Sequence, residues 1–162
     1  MDIQFAYELL PGDYKKIREV LESSGYFHPR EIIVALEIVD EVLNKGIESD
    51  YYFITAHDAN RFAGFICYGP IPLTANRWDI YWIAVADRLR GRGIGGMLLE
   101  KTEQHIRRLS GRRVYIETSA SSLYAPTRRF HEKQGYQLEA VQKDYYADGE
   151  DKCLYVKVLA FA

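Results

Sequence analysis

The chain has 162 residues, of which 48% are hydrophobic and 27% charged, and its formal net charge at pH 7 is −2. This length is close to the roughly 100 to 150 residues of a typical domain, so the sequence predicts one self-sufficient domain spanning the whole chain, residues 1–162. A nearly neutral chain with scattered basic residues argues against a nucleic acid or an anionic membrane surface as the main partner.

Cysteine and histidine usage gives little support for a metal centre or a disulfide framework. Cys67 and Cys153 each lie inside an apolar run, and the four histidines form no short-spaced ligand pair. The N-terminus lacks the basic and apolar regions of a signal peptide, and no apolar stretch approaches the ~18 residues of a membrane span. We therefore expect a cytoplasmic protein with no metal and no membrane association.

Two amphipathic helices are predicted in the first third of the chain. The first begins after Pro11-Gly12-Asp13 and ends at Gly25. The second begins at His28-Pro29, where the missing N–H of a proline at the first helical position costs nothing, and ends at Gly46. Apolar residues recur at helical spacing through both segments, so each helix has one face suited to a core.

After residue 50 the apolar residues alternate in the manner of strands. Three antiparallel strands are predicted over Tyr51–His57, Arg61–Tyr68 and Trp78–Val85. A glycine-rich segment, an amphipathic helix and the strand Arg113–Thr118 follow, and such a β-α-β unit requires its two strands to be parallel. A short helix over Tyr124–Gln134 and a hairpin of Tyr136–Tyr145 with Lys152–Leu159 complete the chain. The sequence therefore predicts an α+β fold with a mostly antiparallel sheet.

The segment Asp87–Gly96, which leads from a strand into a helix, contains four glycines and three arginines. A turn of this kind leaves several backbone N–H groups at the positive end of the helix dipole, where they suit a phosphate or a pyrophosphate. The alternative is a flexible turn with incidental arginines. Because glycines disfavour a helix start unless the backbone is being used, we interpret the segment as an anion site.

The same glycines leave a second interpretation open. Gly91-x-Gly93-x-x-Gly96 satisfies the dinucleotide-binding fingerprint, and Glu117 follows 21 residues after Gly96. An NAD(P)-dependent oxidoreductase is therefore an alternative, although the meander before the loop lacks the parallel first half of a dinucleotide-binding fold. The pattern GxxxxGK[ST] of nucleoside triphosphate hydrolases is absent.

The loop and the order of elements together resemble the GCN5-related N-acetyltransferase (GNAT) family. Arg90-x-x-Gly93-x-Gly95 is similar to the acyl-CoA pyrophosphate loop of that family, Q/R-x-x-G-x-G/A. The element order agrees over nearly the whole chain, from a short strand near Ile3–Tyr7 to the terminal hairpin. The resemblance implies a three-layer α/β/α fold with a mixed sheet of about seven strands, about four helices, and fourth and fifth strands that splay apart.

The resemblance further implies how acetyl-CoA, the co-substrate, is bound. The pyrophosphate is expected on the backbone amides of Arg90, Gly91, Arg92, Gly93, Ile94, Gly95 and Gly96. Ile83 and Val85, at the end of the fourth strand, are expected to pair with the pantetheine arm as a neighbouring strand would. Tyr124 occupies the place where the family often has an asparagine that contacts CoA, and its alternative is a packing aromatic.

Acetyl transfer to an amine needs a base for the amine and an acid for the departing thiolate. His131 occupies the position where the family usually has a tyrosine as general acid, and a histidine there is expected to titrate near pH ~6 to 7. A histidine that merely packs is the alternative. Asp79 resembles the acidic residue that many family members carry on this strand, acting as a base through water, and Glu117 is the second candidate. No covalent acyl-enzyme is expected.

The sequence thus predicts an acyl-CoA-dependent N-acyltransferase that transfers an acetyl group to a primary amine directly, in a ternary complex. Glu31, Asp144, Asp148 and Asp151 lie on segments expected to wall the acceptor site, which favours a cationic amine-bearing small molecule or a peptide N-terminus. A non-catalytic acyl-CoA-binding module is the main alternative, with the NAD(P)-dependent oxidoreductase less favoured. The edge strand of the C-terminal hairpin is available for pairing in a homodimer.

Overall fold

The computed structural model describes residues 1–161, which separate into two compact units. Unit 1 comprises Met1–Gly69 and Trp82–Thr102. Unit 2 comprises Pro70–Tyr81 and the chain from Glu103 onward. Within residues 1–161, no helix is long and apolar enough to cross a membrane, and no group of three or more metal-ligating side chains is arranged to hold an ion.

Unit 1 contains the two predicted N-terminal helices and the first hairpin. Its elements are β1 (Ile3–Ala6), α1 (Asp13–Ser24), α2 (Pro29–Lys45), β2 (Tyr52–Asp58), β3 (Arg61–Pro70) and most of α3 (Ile94–Arg108). Gly25 ends α1 in the left-handed region, at φ +73°. His28 caps α2, because its ring accepts from the N–H of Arg30 while the Glu31 carboxylate accepts from the N–H of His28. Both helix predictions are confirmed.

The β2–β3 hairpin turns where the sequence predicts it. Ala59 and Asn60 have φ values of +46° and +67°, a pair of positive φ angles typical of a two-residue hairpin turn. Ile54, Phe65 and Ile66 in its strands are at most 1% exposed. Burying a side chain of this size stabilises the fold by about 1.5 to 3 kcal/mol, so the hairpin is a large part of the core of unit 1.

Unit 2 is built on the second half of the sheet. Its elements are the first half of β4 (Arg77–Val85), β5 (Arg113–Ser119), α4 (Ala125–Lys133), β6 (Gln137–Ala147) and β7 (Glu150–Val158). β4 and β5 run parallel and pair from Arg77 with Arg113 to Ile80 with Ile116, the first four residues of each strand. β7 lies antiparallel between β5 and β6. The parallel β4–β5 pair and the terminal hairpin are therefore confirmed.

The strand order confirms the predicted fold class. Within residues 1–161, seven strands form one mixed sheet in the order β1-β2-β3-β4-β5-β7-β6, and four α-helices accompany them. β6 forms an edge of this sheet, and every one of its residues is exposed. Tyr136, predicted as its first residue, is instead buried just before the strand. The strand expected to be available for pairing is thus an exposed edge.

Candidate active site

The loop between β4 and α3 has the backbone conformation that its glycines predict. Gly91 and Gly93 have φ values of +73° and +83°, in the left-handed region where side chains with a Cβ are strained. Leu89, two residues before Gly91, is 3% exposed and anchors the loop in the core of unit 1. Gly91, Arg92 and Gly93 are exposed, so the backbone between the anchor and the helix faces solvent.

The start of α3 supplies unpaired backbone donors. The N–H of Met97 donates to the carbonyl of Gly93 at 3.0 Å, which makes Gly93 the residue that begins the helical bonding. The N–H groups of the first turn of a helix have no acceptor inside the helix, and here they belong to Ile94, Gly95 and Gly96. These donors, at the positive end of the helix dipole, are suited to an anion.

Arg90 differs from the prediction that its amide takes part in anion binding. Its N–H donates to the carbonyl of Asp87 at 3.3 Å, which completes a short 3-10 turn. Its guanidinium pairs with the Asp87 carboxylate at 3.1 Å, donates to the carbonyl of Ser24 at 2.8 Å and lies over the Tyr26 ring. Arg90 therefore fastens the loop to the end of α1, and the available amides begin after it.

Gly64 in β3, which the sequence analysis did not single out, allows the backbone of β3 to lie close to the end of β4. A Cβ added to Gly64 would lie 2.6 Å from the carbonyl oxygen of Ala84 and 3.1 Å from the Cα of Val85. The backbone of β3 therefore lies closely against the segment that holds Ile83 and Val85, both half-buried. A glycine inside a strand pattern is a known sign of such a close backbone approach, and it could have been recognised from sequence.

Two carboxylates and a lysine lie on one face of the sheet in unit 2. Asp79 on β4 is opposite Tyr115, which shares a face with Glu117 because side chains alternate along β5. Lys152 on β7 is opposite Ser119, the next residue of β5 on that face. The Lys152 Nζ donates to Glu117 Oε1 at 3.0 Å and lies 3.7 Å from the centre of the Tyr145 ring.

Asp79 has the ionisation behaviour of a base that works near neutral pH. The pKa of its carboxyl is raised to about 6, chiefly by burial and then by the negative charge of Glu117, while the positive charge of Lys152 partly opposes both. A carboxyl with a pKa near the working pH is suited to accept a proton and release it again. Asp79 and Glu117 were predicted as candidates, whereas Lys152 was predicted only as the start of a strand.

His131 is placed on the opposite face of β5 from this cluster. It is 1% exposed, its Nε2 lies 3.0 Å from the Thr118 Oγ1, and the rings of Phe130, Tyr136 and Tyr155 surround it at 5.6 to 6.5 Å between centroids. Because Thr118 follows Glu117 along the strand, the two side chains point to opposite faces. The structure therefore does not bring His131 and Asp79 together.

The expectation that His131 titrates near pH 6 to 7 is wrong in this environment. Burial disfavours the charged imidazolium and lowers the pKa of His131 to about 4. Its Nδ1 is buried and has no hydrogen-bond partner among residues 1–161. At neutral pH the ring is therefore uncharged, which favours the packing alternative over an imidazolium that protonates the thiolate.

The carboxylates expected to attract the acceptor mostly have structural partners. Asp151 accepts from Lys143 Nζ at 3.0 Å and from the N–H of Asp144 at 2.9 Å, and Asp144 accepts from the N–H of Gly149 at 2.7 Å. Glu31 belongs to the cap of α2, and Asp148 is exposed. Three of the four carboxylates thus have partners close in sequence, and their selection of a cationic acceptor stays a prediction.

Tyr124 lies at the start of α4, at a junction that is firmly held. It is half-buried and ends a 3-10 turn, Ser122–Tyr124, immediately before the helix. Arg128 in α4 donates to the carbonyls of Ser119 and Ser121, each at 2.7 Å, and so fixes the connection from β5 to the helix. The position of Tyr124 is therefore fixed by the connection between β5 and α4.

The mixed sheet with its parallel β4–β5 pair, and the glycine loop between β4 and α3, agree with the element order of the family that the sequence resembles. Comparison with known proteins agrees: the model of the acetyltransferase (GNAT) family matches residues 15–136. The chain belongs to this family, as its loop and element order indicated. The match supports the acyl-CoA interpretation of the loop over the dinucleotide interpretation.

Individual relatives show how far the similarity extends. An N-alpha-acetyltransferase of Sulfurisphaera tokodaii is 30% identical over 92 residues, which cover 56% of this chain and 54% of that protein, so the chain spans about half the length of the curated relatives it matches. A GNAT-family crystal structure from Desulfovibrio desulfuricans is 42% identical with a TM-score of 0.96, covering 98% of this chain and 100% of that one. An aminoglycoside 6'-N-acetyltransferase complexed with coenzyme A shares the fold, at 19% identity, a TM-score of 0.77 and coverage of 100% and 99%.

Proposed function

We propose that the chain transfers an acetyl group from acetyl-CoA to a primary amine, directly and in a ternary complex. The observation that carries this proposal is Asp79, a half-buried carboxyl with a pKa of about 6 on β4, in a chain of the acetyltransferase family. General-base catalysis by such a group contributes about 10²- to 10⁴-fold to the rate. A carboxyl with a pKa near neutral pH supports a catalytic role over a module that only binds acyl-CoA.

The loop after β4 is the proposed site for the pyrophosphate of CoA. Its donors are the exposed backbone of Gly91–Gly93 and the first-turn amides of Ile94, Gly95 and Gly96. Ile83 and Val85 are proposed to pair with the pantetheine arm, and Tyr124 to contact the cofactor. Arg90 stays part of the proposal as the residue that fixes the loop, rather than as a phosphate ligand.

The proposed reaction needs one proton acceptor on the protein. Asp79 takes the proton of the amine through water, the amine nitrogen forms a bond to the acetyl carbon, and the carbon–sulfur bond breaks to release the CoA thiolate. The thiolate takes its proton from solvent, because His131 is neutral at pH 7 and buried. His131 is proposed to position Thr118 and fill the core beneath β5.

The ionisation of Asp79 favours the α-amine of a peptide as the acceptor. An α-amino group has a pKa near 8 and a lysine side chain one near 10.4. The pKa of Asp79, about 6, is therefore about two units below that of an α-amine and more than four units below that of a lysine. That relatives of this chain are named N-alpha-acetyltransferases supports the same acceptor class.

The test is release of CoA thiol from acetyl-CoA in the presence of a panel of amines. The panel contains peptides with a free N-terminus, the same peptides with a blocked N-terminus and an internal lysine, and an aminoglycoside. We expect turnover only with free N-termini. Binding of acetyl-CoA without turnover of any acceptor would identify a binding module, and a thermal shift with NAD(P) but not with acetyl-CoA would contradict the family-based proposal.

Asp79→Asn serves as the matched variant for this assay, since it keeps the size of the side chain and removes its basicity. We expect it to bind acetyl-CoA as the native chain does, with the same stabilisation in a thermal-shift measurement. Loss of turnover together with retained binding assigns Asp79 to the chemical step.

A further inference from the structure

Lys152 is the one buried lysine in the described part of the chain, residues 1–161. Burying an ammonium group is costly unless it is paired and hydrogen-bonded, so the partners of Lys152 determine where its charge can lie. Its side chain is 8% exposed, whereas the side chain of its partner, Glu117, is 48% exposed. The ion pair therefore has a buried positive end and a carboxylate that reaches solvent.

The ammonium group of Lys152 is held by two partners. Lys152 donates to Glu117 Oε1 at 3.0 Å, and the Tyr145 ring lies against its Nζ at 3.7 Å. A cation over an aromatic face is held more strongly when it is removed from water, as it is here. The lysine comes from β7, the carboxylate from β5 and the ring from β6, so three strands determine where this charge lies.

We propose that Lys152 is a positioning residue for the reaction: it binds Glu117 and keeps Asp79 as the carboxylate that accepts the proton of the amine. This inference rests on the proposed function, in which Asp79 is the base. Without the lysine, Glu117 would present an uncompensated negative charge on the face of the sheet that holds Asp79. Two carboxylates that share a site hold their protons more tightly, and one of them then stays protonated near neutral pH.

The charged and titratable groups around Asp79 come from four strands. Arg77 and Tyr81 share its face of β4, and Arg77 is turned toward the carbonyl of Ala75 at 2.8 Å. On the other strands that face carries Arg113, Tyr115 and Glu117 of β5, Glu150 and Lys152 of β7, and Tyr145 of β6, and Arg113 is paired with Glu139 of β6 at 3.8 Å. The carboxylate of Glu150 accepts a hydrogen bond from the Ser119 hydroxyl at 2.7 Å. Among these groups, Glu117 and Lys152 have the dominant influence on Asp79, with opposite signs.

The experiment measures the titration of the Asp79 carboxyl directly, by ¹³C NMR of its side chain, assigned as the resonance missing from Asp79→Asn. In Lys152→Met we expect the pKa of Asp79 to rise by about one unit, and in Glu117→Gln to fall. The acidic limb of the rate profile should move in the same directions. Lys152→Arg, which keeps the charge, should restore most of the native titration.

Lys143→Met is the matched control. Lys143 also pairs with an aspartate at 3.0 Å in the same hairpin, but its side chain is 81% exposed and its partner is Asp151. We expect no change in the titration of Asp79. An equal shift in Lys143→Met and Lys152→Met would overturn the assignment, because it would show that any cation of the hairpin has this effect.

A further comparison covers the case in which Lys152→Met does not fold. Glu117→Gln/Lys152→Met leaves no unpaired carboxylate, and its Asp79 pKa should exceed that of Glu117→Gln alone. Equal values in these two variants overturn the role of Lys152. Absence of turnover by the native chain with every acceptor contradicts the proposed function, and the NMR titration distinguishes that failure because it needs no turnover.

Discussion

The two faces of the sheet at β5 surround their ionisable side chains in different ways. On one face, which we call the ionic face, Asp79 is half-buried next to the carboxylate of Glu117 and the ammonium of Lys152. On the other face, which we call the aromatic face, His131 is enclosed by the rings of Phe130, Tyr136 and Tyr155 and bonded to Thr118, and burial lowers its pKa. Glu117 and Thr118, adjacent in sequence, mark the two environments.

Desolvation drives both pKa shifts, and in both cases it favours the neutral form. For an acid this raises the pKa, so that of Asp79 moves up to about 6, within reach of neutral pH. For a base it lowers the pKa, so that of His131 moves down to about 4, away from neutral pH. The same physical cause thus makes Asp79 a group able to exchange protons at pH 7 and leaves His131 unable to do so.

The largest effect should come from removing the proton acceptor. Asp79→Asn is expected to lower kcat by about 10²- to 10⁴-fold, the range of general-base catalysis, while the Kd of acetyl-CoA stays the same. Steady-state kinetics with a peptide acceptor and a thermal-shift titration with acetyl-CoA measure the two quantities. Retention of most of the native kcat would show that the ionic face is not the catalytic one.

The second prediction concerns acid stability and the aromatic face. The folded pKa of His131 lies below the unfolded value of 6.5, so the unfolded chain binds the proton first and stability is lost as pH falls from about 6.5 to about 4. Over that window the titration of His131 should lower the free energy of unfolding by about 2 to 3 kcal/mol. His131→Phe should lack this component, which urea unfolding at several pH values measures. Parallel pH dependence in both proteins would show that His131 is not desolvated in solution.

The stability contribution of Asp79, on the ionic face, should depend on pH in the opposite sense to that of His131. The folded pKa of Asp79 lies above the unfolded value of 3.8, so its ionisation weakens the fold as pH rises from about 4 through about 6. Asp79→Asn should therefore have a higher Tm than the native chain above pH 6. The two proteins should converge below pH 4. Melting curves across this range check the sign, and a lower Tm of the variant at pH 7 would contradict the desolvation argument.

The smallest effect is expected on the kcat of the His131→Phe variant. If the imidazole only packs and bonds to Thr118, kcat should change by less than about tenfold, below the range of acid catalysis. The acidic limb of the rate profile, assigned to Asp79, should stay near pH 6. Disappearance of that limb in the variant would transfer the ionisation to His131 and remove the contrast between the two faces.

Much of the fold could be predicted because its signals are local. Gly25, Gly91 and Gly93 lie at positive φ, a conformation that depends on a residue and its immediate neighbours. The apolar period changes from helical to alternating where α2 gives way to β2, and the hairpin turn at Ala59 and Asn60 follows from its own short sequence. The glycine loop and the order of elements were sufficient to indicate the family.

The site was less predictable, because its properties depend on distant parts of the chain. Lys152 bonds to Glu117 across 35 residues, a contact that exists only because β7 lies beside β5. Arg90 has the residue type expected for an anion loop, yet its guanidinium donates to Ser24, 66 residues away. Neither partner is encoded in a short motif.

The sequence by itself determined the elements, the fold class, the glycine loop and membership of the acetyltransferase family, since backbone conformation and periodicity are set within a few residues. Only the tertiary structure decided that Asp79 shares a face with Glu117 and Lys152, and that His131 is enclosed on the other. Ionisation follows from desolvation and from charges that strands distant in sequence bring close together. The residue type at position 131 was evident from the sequence, but whether it could carry a proton at pH 7 was determined by its burial.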